Sequence, residues 1–290
     1  MTKSSPSDIV LYELQGSIAT IRLNRPQYHN AQNSALLYEL DRAFYRFAQD
    51  DIARVAILTG QGANFSAGHD LGPESDRDRS FPRISMWWDH VSKLGAENRL
   101  AREAEVYLGL CRRWRDIPKP TIAMVRGACI AGGLMLAWSC DLVFASQTAY
   151  FADPVVAMGI PGHEFFAHPW IMGARQAKEF LFLGERVDAD RALELRIVNR
   201  VIPDDQLETV TTDVAERIAL MPRMGLTLTK LAVNQAEDAM GLRTGMDSAF
   251  ALHQLAHSHN SETTGSSIRG RTSAEIKAVV NGAHWREHGD

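Results

Sequence analysis

Short, continuously apolar runs rich in β-branched residues recur along this chain, each stopped by glycine or a polar turn. They constrain its fold more than any other feature. Val55–Thr59 stops at Gly60-Gln61-Gly62, and Thr121–Val125 leads into a glycine-rich segment. Such a run without polar alternation predicts a buried strand. Leu142–Ala145 and Tyr150–Ala152 predict two more short strands. At the N-terminus, Ile9–Leu14 and Ile18–Leu23 flank Gln15-Gly16-Ser17 and predict a hairpin or meander. Asn24-Arg25-Pro26 breaks the second of these, because proline removes a ladder donor and restricts its neighbour. A helix is then expected, capped near Asn33 or Ser34, with Leu36, Leu40, Phe44 and Phe47 forming one buried stripe. Strands alternating with helices define the fold class as α/β.

Two regions break this rhythm. Gly72 to Lys119 is charged at its start and amphipathic later, with Leu100, Ala104, Leu108 and Cys111 at helical spacing. It predicts a loop leading into a covering helix, and its length suits a lid. Beyond Asp204 no strong strand occurs. Val210, Val214, Ile218 and Met221 mark one helix there, and Val233, Ala236 and Met240 another. A boundary near residue 203 therefore divides a core, 1–203, from a helical region, 204–290.

Composition removes several function classes. The 290 residues carry 31 Lys+Arg against 35 Asp+Glu, a net charge of −4, which lacks the basic balance of a nucleic-acid binder. Residues 1–8 are polar, without the apolar stretch of a signal peptide, and the longest apolar run, Gly127–Trp138, is too short to span a bilayer. No membrane association is expected, and the expected address is the cytoplasm. Cys111, Cys129 and Cys140 lie mid-chain in apolar surroundings and are expected as core thiols of a reducing compartment. The sequence has no G-x-S-x-G elbow, no phosphate loop and no dinucleotide fingerprint. His163 and His168 flank a zinc-like stretch but stand five apart, off the shared helix face that H-E-x-x-H requires. His253, His257 and His259 offer one four-residue spacing that could hold a metal, but with no acidic neighbour in sequence they are assigned to a solvated or interface face. No metal is expected.

Two segments carry the functional signal. Asn64-Phe65-Ser66-Ala67-Gly68-His69-Asp70-Leu71 and Val125-Arg126-Gly127-Ala128-Cys129-Ile130-Ala131-Gly132-Gly133-Leu134 each follow a predicted buried strand. Both place small residues where a backbone must turn sharply and admit a close approach. The second runs into an apolar helix, Gly133 to about Ser139, whose N-terminal N–H groups favour developing negative charge. Two such amides aimed at one carbonyl oxygen would stabilise an enolate. Two tight strand–helix turns packed on each other account for the same pattern.

In this order and separation the segments resemble the enoyl-CoA hydratase/isomerase (crotonase) family. The likeness extends to Leu23-Asn24-Arg25-Pro26 with Asn30-Ala31, Ile117-Pro118-Lys119-Pro120-Thr121-Ile122-Ala123, Cys140-Asp141, Asp188-Ala189 with Ala192, and Val198-Asn199-Arg200-Val201 with Pro203. It covers about residues 9–203, and the helical tail more weakly. The resemblance implies a crotonase-like spiral of ββα repeats with a helical C-terminal region used in trimers or dimers of trimers. It implies an acyl-coenzyme A thioester as substrate, with no separate cofactor, and a thioester carbonyl held between the backbone N–H groups of His69 and Gly132. By the same carry-over, Ala67 and the stretch His69, Asp70, Leu71 and Gly72 touch the coenzyme A moiety, and His29 and Ala31 lie near its adenine end. Asp70 and Asp141 match structural aspartates.

The pattern departs from the family where its hydratases carry two acid/base glutamates. Met135 stands at one position, three residues beyond Gly132, and Val155 at the other, in Asp153-Pro154-Val155. Neither side chain can move a proton, a contribution of about 10²–10⁴-fold per group. Glu164, with His163, is the expected replacement, because a lone carboxylate in an apolar pocket has its charged form disfavoured. The alternative for Glu164 is a structural pairing with an arginine. Trp87, Trp88, Phe165, Phe166, Trp170 and Met135 are candidates for an apolar, ring-accepting acyl wall. The expected activity is a thioester-enolate enzyme, nominally an enoyl-CoA hydratase. An isomerase, decarboxylase or C–C lyase of the same family, or a non-catalytic acyl-CoA-binding subunit, stands beside it.

Overall fold

The computed structural model describes residues 9–71, 84, 93–270 and 273–280. Strands β1 (Val10–Gln15) and β2 (Ile18–Leu23) form an antiparallel hairpin in which Leu14 faces Ala19. Parallel pairing then adds β3 (Val55–Gly60) and β4 (Thr121–Val125). A second sheet starts with β5 (Ala128–Ile130), while β6 (Leu142–Ser146) returns to the first beside β4. Next come β7 (Tyr150–Ala152), β8 (Val187–Asp188) and β9 (Arg200–Ile202). The six-stranded sheet runs β1-β2-β3-β4-β6-β9, and β5-β7-β8 make the small one. Strands β5, β8 and β9 are two or three residues long, too short to show a period, and sequence reading missed them for that reason.

The unbroken apolar runs have the burial they predict, with every residue of β4 and all but the last of β3 inside. Helix α1 (Ser34–Gln49) covers one face of the large sheet. Its Leu36, Leu40, Phe44 and Phe47 pack with Ala56, Leu58, Ala123 and Val125. The Asn33 side chain caps this helix by accepting from Leu36 N–H at 3.0 Å. A covering arm follows: α2 (Gly95–Glu103), one π-helical stretch (Ala104–Gly109) and α3 (Leu110–Arg115). Between the sheets sits α4 (Gly132–Trp138), and α5 (His168–Met172), α6 (Ala174–Leu183) and α7 (Ala189–Glu194) complete the core chain. The other face of the large sheet is covered by α8 (Leu207–Ala219), whose Leu207, Ala215 and Ala219 meet Val55, Ile57, Ile122 and Met124. Alternate residues of β3 and β4 thus enter two different cores, which is why these strands carry no polar face.

The chain ends in α9 (Arg223–Ala239), α10 (Leu242–Thr264) and α11 (Ser273–Val280). The stripe through Val233, Ala236 and Met240 does not enter the core of the single chain. No residue of α9 is buried, and Met224, Leu228, Val233 and Met240 are more than half exposed. The three cysteines are buried and unpaired, and burial pushes the Cys140 thiol up to about 12. Among the described residues no helix is long and apolar enough to cross a membrane.

Gly127, which joins the two sheets, has φ of 58°, close to the 56° of Gly16 in the hairpin turn. A Cβ on Gly127 would stand 2.1 Å from the Ala63 carbonyl oxygen, whereas one on Gly16 would meet nothing within 4 Å. Gly16→Ala should cost about 1 kcal/mol, the left-handed penalty partly offset in the unfolded chain. Gly127→Ala should cost at least about 3 kcal/mol, because backbone must move. Urea unfolding measures both, and equal losses would show that crowding at Gly127 is unimportant.

Candidate active site

Three loop segments meet at the edge of the small sheet and are tied by main-chain bonds. Gln32 N–H donates to Gly68 O, Asp70 N–H to Gln32 O and Ala67 N–H to His29 O, at 2.8–3.0 Å. Ser66 N–H donates to Ala128 O, and Ile130 N–H returns to Ser66 O. Side chains lock the same junction. Buried Asn30 donates to the carbonyls of Gln61 and Asn64 and accepts from Arg25 N–H. Asn64 Oδ1 accepts from Ala128 N–H, and Ser66 Oγ donates to Asn30 O. Arg25 pairs with Asp70 at 3.0 Å. Asp141 likewise accepts from Thr121 and pairs with Lys230.

This lacing sets the backbone of residues 69 and 132 beside each other. A Cβ on Gly68 would lie 3.3 Å from Gly132 N, and one on Gly132 would lie 2.9 Å from the His69 ring. The ladder with Gln32 uses the amides of Gln32 and Asp70, so the His69 N–H points away from it. The Gly132 N–H heads α4 and has no acceptor within the helix. Ala131, just before it, is held at φ 46° and ψ −107°, a strained conformation for a residue with a Cβ.

His69, Glu164 and His163, with His29, Ala67, Asp70 and Leu71, all line one cavity of about 600 Å³. Its lining combines apolar residues (Ile130, Val155, Met158, Ile160, Ile276 and Val280) with an ionic group. Gly132 and Ala31 are not lining residues. Gly132 lies against the His69 ring, and the Ala31 carbonyl accepts from Arg25. Gly72, Trp87 and Trp88 lie outside the described residues. Met135 and Phe165 are buried in the main core, Phe166 and Trp170 pack against it, and none of these four lines this cavity.

The ionic group differs from expectation in one respect. Glu164 is not a lone carboxylate with a raised pKa, and among the described residues its ion pairs are with histidines and not with an arginine. Its buried Oε2 accepts from His69 Nε2 at 3.1 Å, and the His69 ring stacks on Tyr107 at 3.9 Å. Burial alone would raise the Glu164 pKa. The His69 charge and hydrogen bond, with His253, outweigh it and hold the carboxyl well below its usual range. Burial likewise favours neutral His69, and Glu164 outweighs it, so the His69 pKa is raised. His69 Nδ1 is buried without a hydrogen-bond partner among the described residues. The carboxyl pushed upward is Glu103, to about 7, by burial and by the Glu164 charge. Glu103 and Tyr107 were missed in the sequence. They stand one turn apart beside the apolar stripe of the covering arm, and only the fold turns them to the cavity.

His163 and Glu164 are neighbours in sequence yet serve different clusters. Asp153 Oδ2 accepts from His168 Nε2 at 3.0 Å and from His163 N–H at 3.3 Å, and the two rings lie 4.6 Å apart. Asp153 therefore binds histidines instead of capping its own turn, and the irregular chain at 153–168 unites what helix spacing had separated. His253 and His257 also depart from expectation. Both are buried, they line the cavity, and Glu103 supplies the acidic partner absent from their own stretch of sequence.

Burial, with His168, pulls the His163 pKa down to about 3. A folded pKa below the unfolded value near 6.5 means that unfolding takes up a proton between about pH 6.5 and 3. Stability should fall through that window as pH drops, by up to about 1.4 kcal/mol per pH unit from this group. His163→Gln should flatten the slope in urea titrations at stepped pH, and an unchanged slope would contradict the assignment.

Residues 13–271 match the family model described as enoyl-CoA hydratase/isomerase. A Mycobacterium tuberculosis protein provisionally named enoyl-CoA hydratase EchA13 is 44% identical over 258 residues, 87% of this chain and 81% of that protein. An Arthrobacter 4-chlorobenzoyl coenzyme A dehalogenase is 33% identical over 229 residues, 77% of this chain and 76% of its own. A crystal structure from Mycobacterium smegmatis, provisionally titled an enoyl-CoA hydratase, superposes with a TM-score of 0.82 at 43% identity and covers 91% of this chain and 100% of that one. The two interlocked sheets, the glycine-containing bends that meet at the cavity and these likenesses agree: the chain belongs to the enoyl-CoA hydratase/isomerase family and has its crotonase-like fold.

Proposed function

We propose that the protein processes an acyl-coenzyme A thioester through an enolate, nominally as an enoyl-CoA hydratase. The carrying observation is the contact between the loop bearing His69 and the head of α4, beside a cavity that also holds the His69–Glu164 pair. On this reading the amides of His69 and Gly132 bind the thioester oxygen, where negative charge develops. The strain at Ala131 supports a backbone shaped for that task. His69 and Glu164 share one proton path, with Nδ1 as its unpartnered end, and replace the family's two glutamates. His29, Ala31, Ala67, Asp70, Leu71 and Gly72 contact coenzyme A, and His163 supports the adjoining wall. The exposed apolar residues of α9 support assembly as a trimer or a pair of trimers, and we place the protein in the cytoplasm.

One observation favours a second reading. Of the two family acid/base positions, Met135 is buried in the core and Val155 is an apolar wall residue. This suits a non-hydratase member (isomerase, decarboxylase or C–C lyase) or a non-catalytic acyl-CoA binder. The relatives named for a chlorobenzoyl thioester support a ring-bearing acyl group at the apolar wall.

Addition of the protein to crotonyl-CoA should remove the conjugated absorbance band, whereas binding without spectral change would favour the second reading. Glu164→Gln should lower turnover of the true substrate about 10²–10⁴-fold while acyl-CoA affinity stays within a few-fold. Unaltered turnover would remove Glu164 from the mechanism. In sedimentation, Leu228→Asp on α9 should shift a trimeric species towards monomer, and a monomeric wild type would refute the assembly.

A further inference from the structure

Two histidines one turn apart on α10 pose a hydrogen-bonding problem that their own side chains do not solve. His253 Nδ1 lies 2.9 Å from the Gly162 carbonyl, and His257 Nδ1 lies 2.6 Å from the Ser267 carbonyl. A carbonyl only accepts, so each ring donates from Nδ1, and in the neutral form each Nε2 carries a lone pair. These two Nε2 atoms face each other at 3.0 Å. Two lone pairs at that separation repel unless a proton or a metal ion stands between them. Both side chains are more than nine-tenths buried, so bulk water does not relieve the contact.

Carboxylates surround the same point. Glu103 Oε2 lies 3.7 Å from His253 Nε2, and Glu103 Oε1 lies 4.0 Å from His257 Nε2. Glu164 Oε1 is 3.6 Å from His253 Nε2 on the cavity side. Ligands held 2.0–2.2 Å from a tetrahedral ion stand about 3.3–3.6 Å from one another. The two Nε2 atoms are slightly closer than that, and the nearest Glu103 oxygen to each is slightly farther. Histidine ligands that donate their second nitrogen to a backbone carbonyl have the support usual at such sites. Glu103 Oε2 also accepts from Gln254 Nε2 at 2.5 Å, which leaves Oε1 open. The other buried cluster, Asp153 with His163 and His168, lacks the same support, since neither of its rings donates Nδ1 to a backbone carbonyl.

We propose that Glu103, His253 and His257 bind a divalent first-row metal ion of the Zn²⁺ class in the wall of the cavity. Two imidazoles and one carboxylate leave a fourth position for Glu164 or for a solvent molecule. The site stands apart from the acyl-CoA reading, since it requires only these three side chains, and it revises the expectation of a metal-free pocket. An ion here would add a positive charge beside Glu164 in the lining of the cavity.

The test uses tag-free, full-length protein freed of metal by chelation and titrated with Zn²⁺, with bound metal counted by elemental analysis. One ion per chain is expected, with a rise in Tm on loading. Co²⁺ should give the visible bands of a tetrahedral nitrogen–oxygen site. His253→Gln, His257→Gln and Glu103→Gln should each weaken binding by roughly 100-fold or more. His259→Gln, altered on the exposed side of the same helix, should bind as wild type. Should a ligand variant fail to fold, the Co²⁺ spectrum of the wild type still decides. Absence of stoichiometric binding, an octahedral all-oxygen spectrum, or binding undiminished in the folded ligand variants would each overturn the site. None of these readouts depends on turnover, so a failed crotonyl-CoA assay leaves this result standing.

Discussion

Everything at the cavity depends on backbone approach too close for side chains. Gly60, Gly68, Gly127 and Gly133 each lie where a Cβ would fall within 3 Å of a neighbouring carbonyl oxygen, and those carbonyls belong to the segments they bind. Ser66 and Asn30 then satisfy polar groups that the tight turns would leave unpaired. Buried amides without partners cost about 1–3 kcal/mol each, so the junction holds only when all its bonds form together. That cooperativity gives a loop-built site the rigidity of a sheet, which a carbonyl-binding pair of amides requires.

On this rigid frame the cavity combines an apolar lining with a charged group. The charged group collects side chains from distant elements: His69 from the first loop, Glu164 from the stretch after β7, Glu103 from the covering arm and His253 from α10. Low dielectric strengthens their coupling, so that Glu164 is held ionised while Glu103 is pushed towards neutrality. Two carboxyls a short distance apart thus serve different ends. Glu164 raises the His69 pKa, and Glu103 faces the His253–His257 pair.

The strands were readable where they were long and buried on both faces, as β3 and β4 were, because burial leaves a compositional trace at every position. The α1 stripe and its Asn33 cap were readable for the same local reason. The contact of residues 69 and 132 was foreseeable from resemblance, since both bends carry glycine patterns that a packed backbone imposes. Short strands such as β8 escaped notice, having too few residues for any period. The α9 stripe was readable as a helix. Helical spacing records an apolar face but not what covers it, and here the face lies open in the single chain.

Local sequence determined the α/β class, the buried strands, the capped first helix and the two glycine bends, because each is dictated by interactions within about ten residues. Tertiary structure alone decided the ionisation and partners of the acids. Glu164 was expected alone and is matched with His69, 95 residues away, while His253 finds Glu103 at a separation of 150 residues. A carboxyl's pKa depends on charges within a few ångströms in space, and nothing in chain order encodes which distant side chain will occupy that radius.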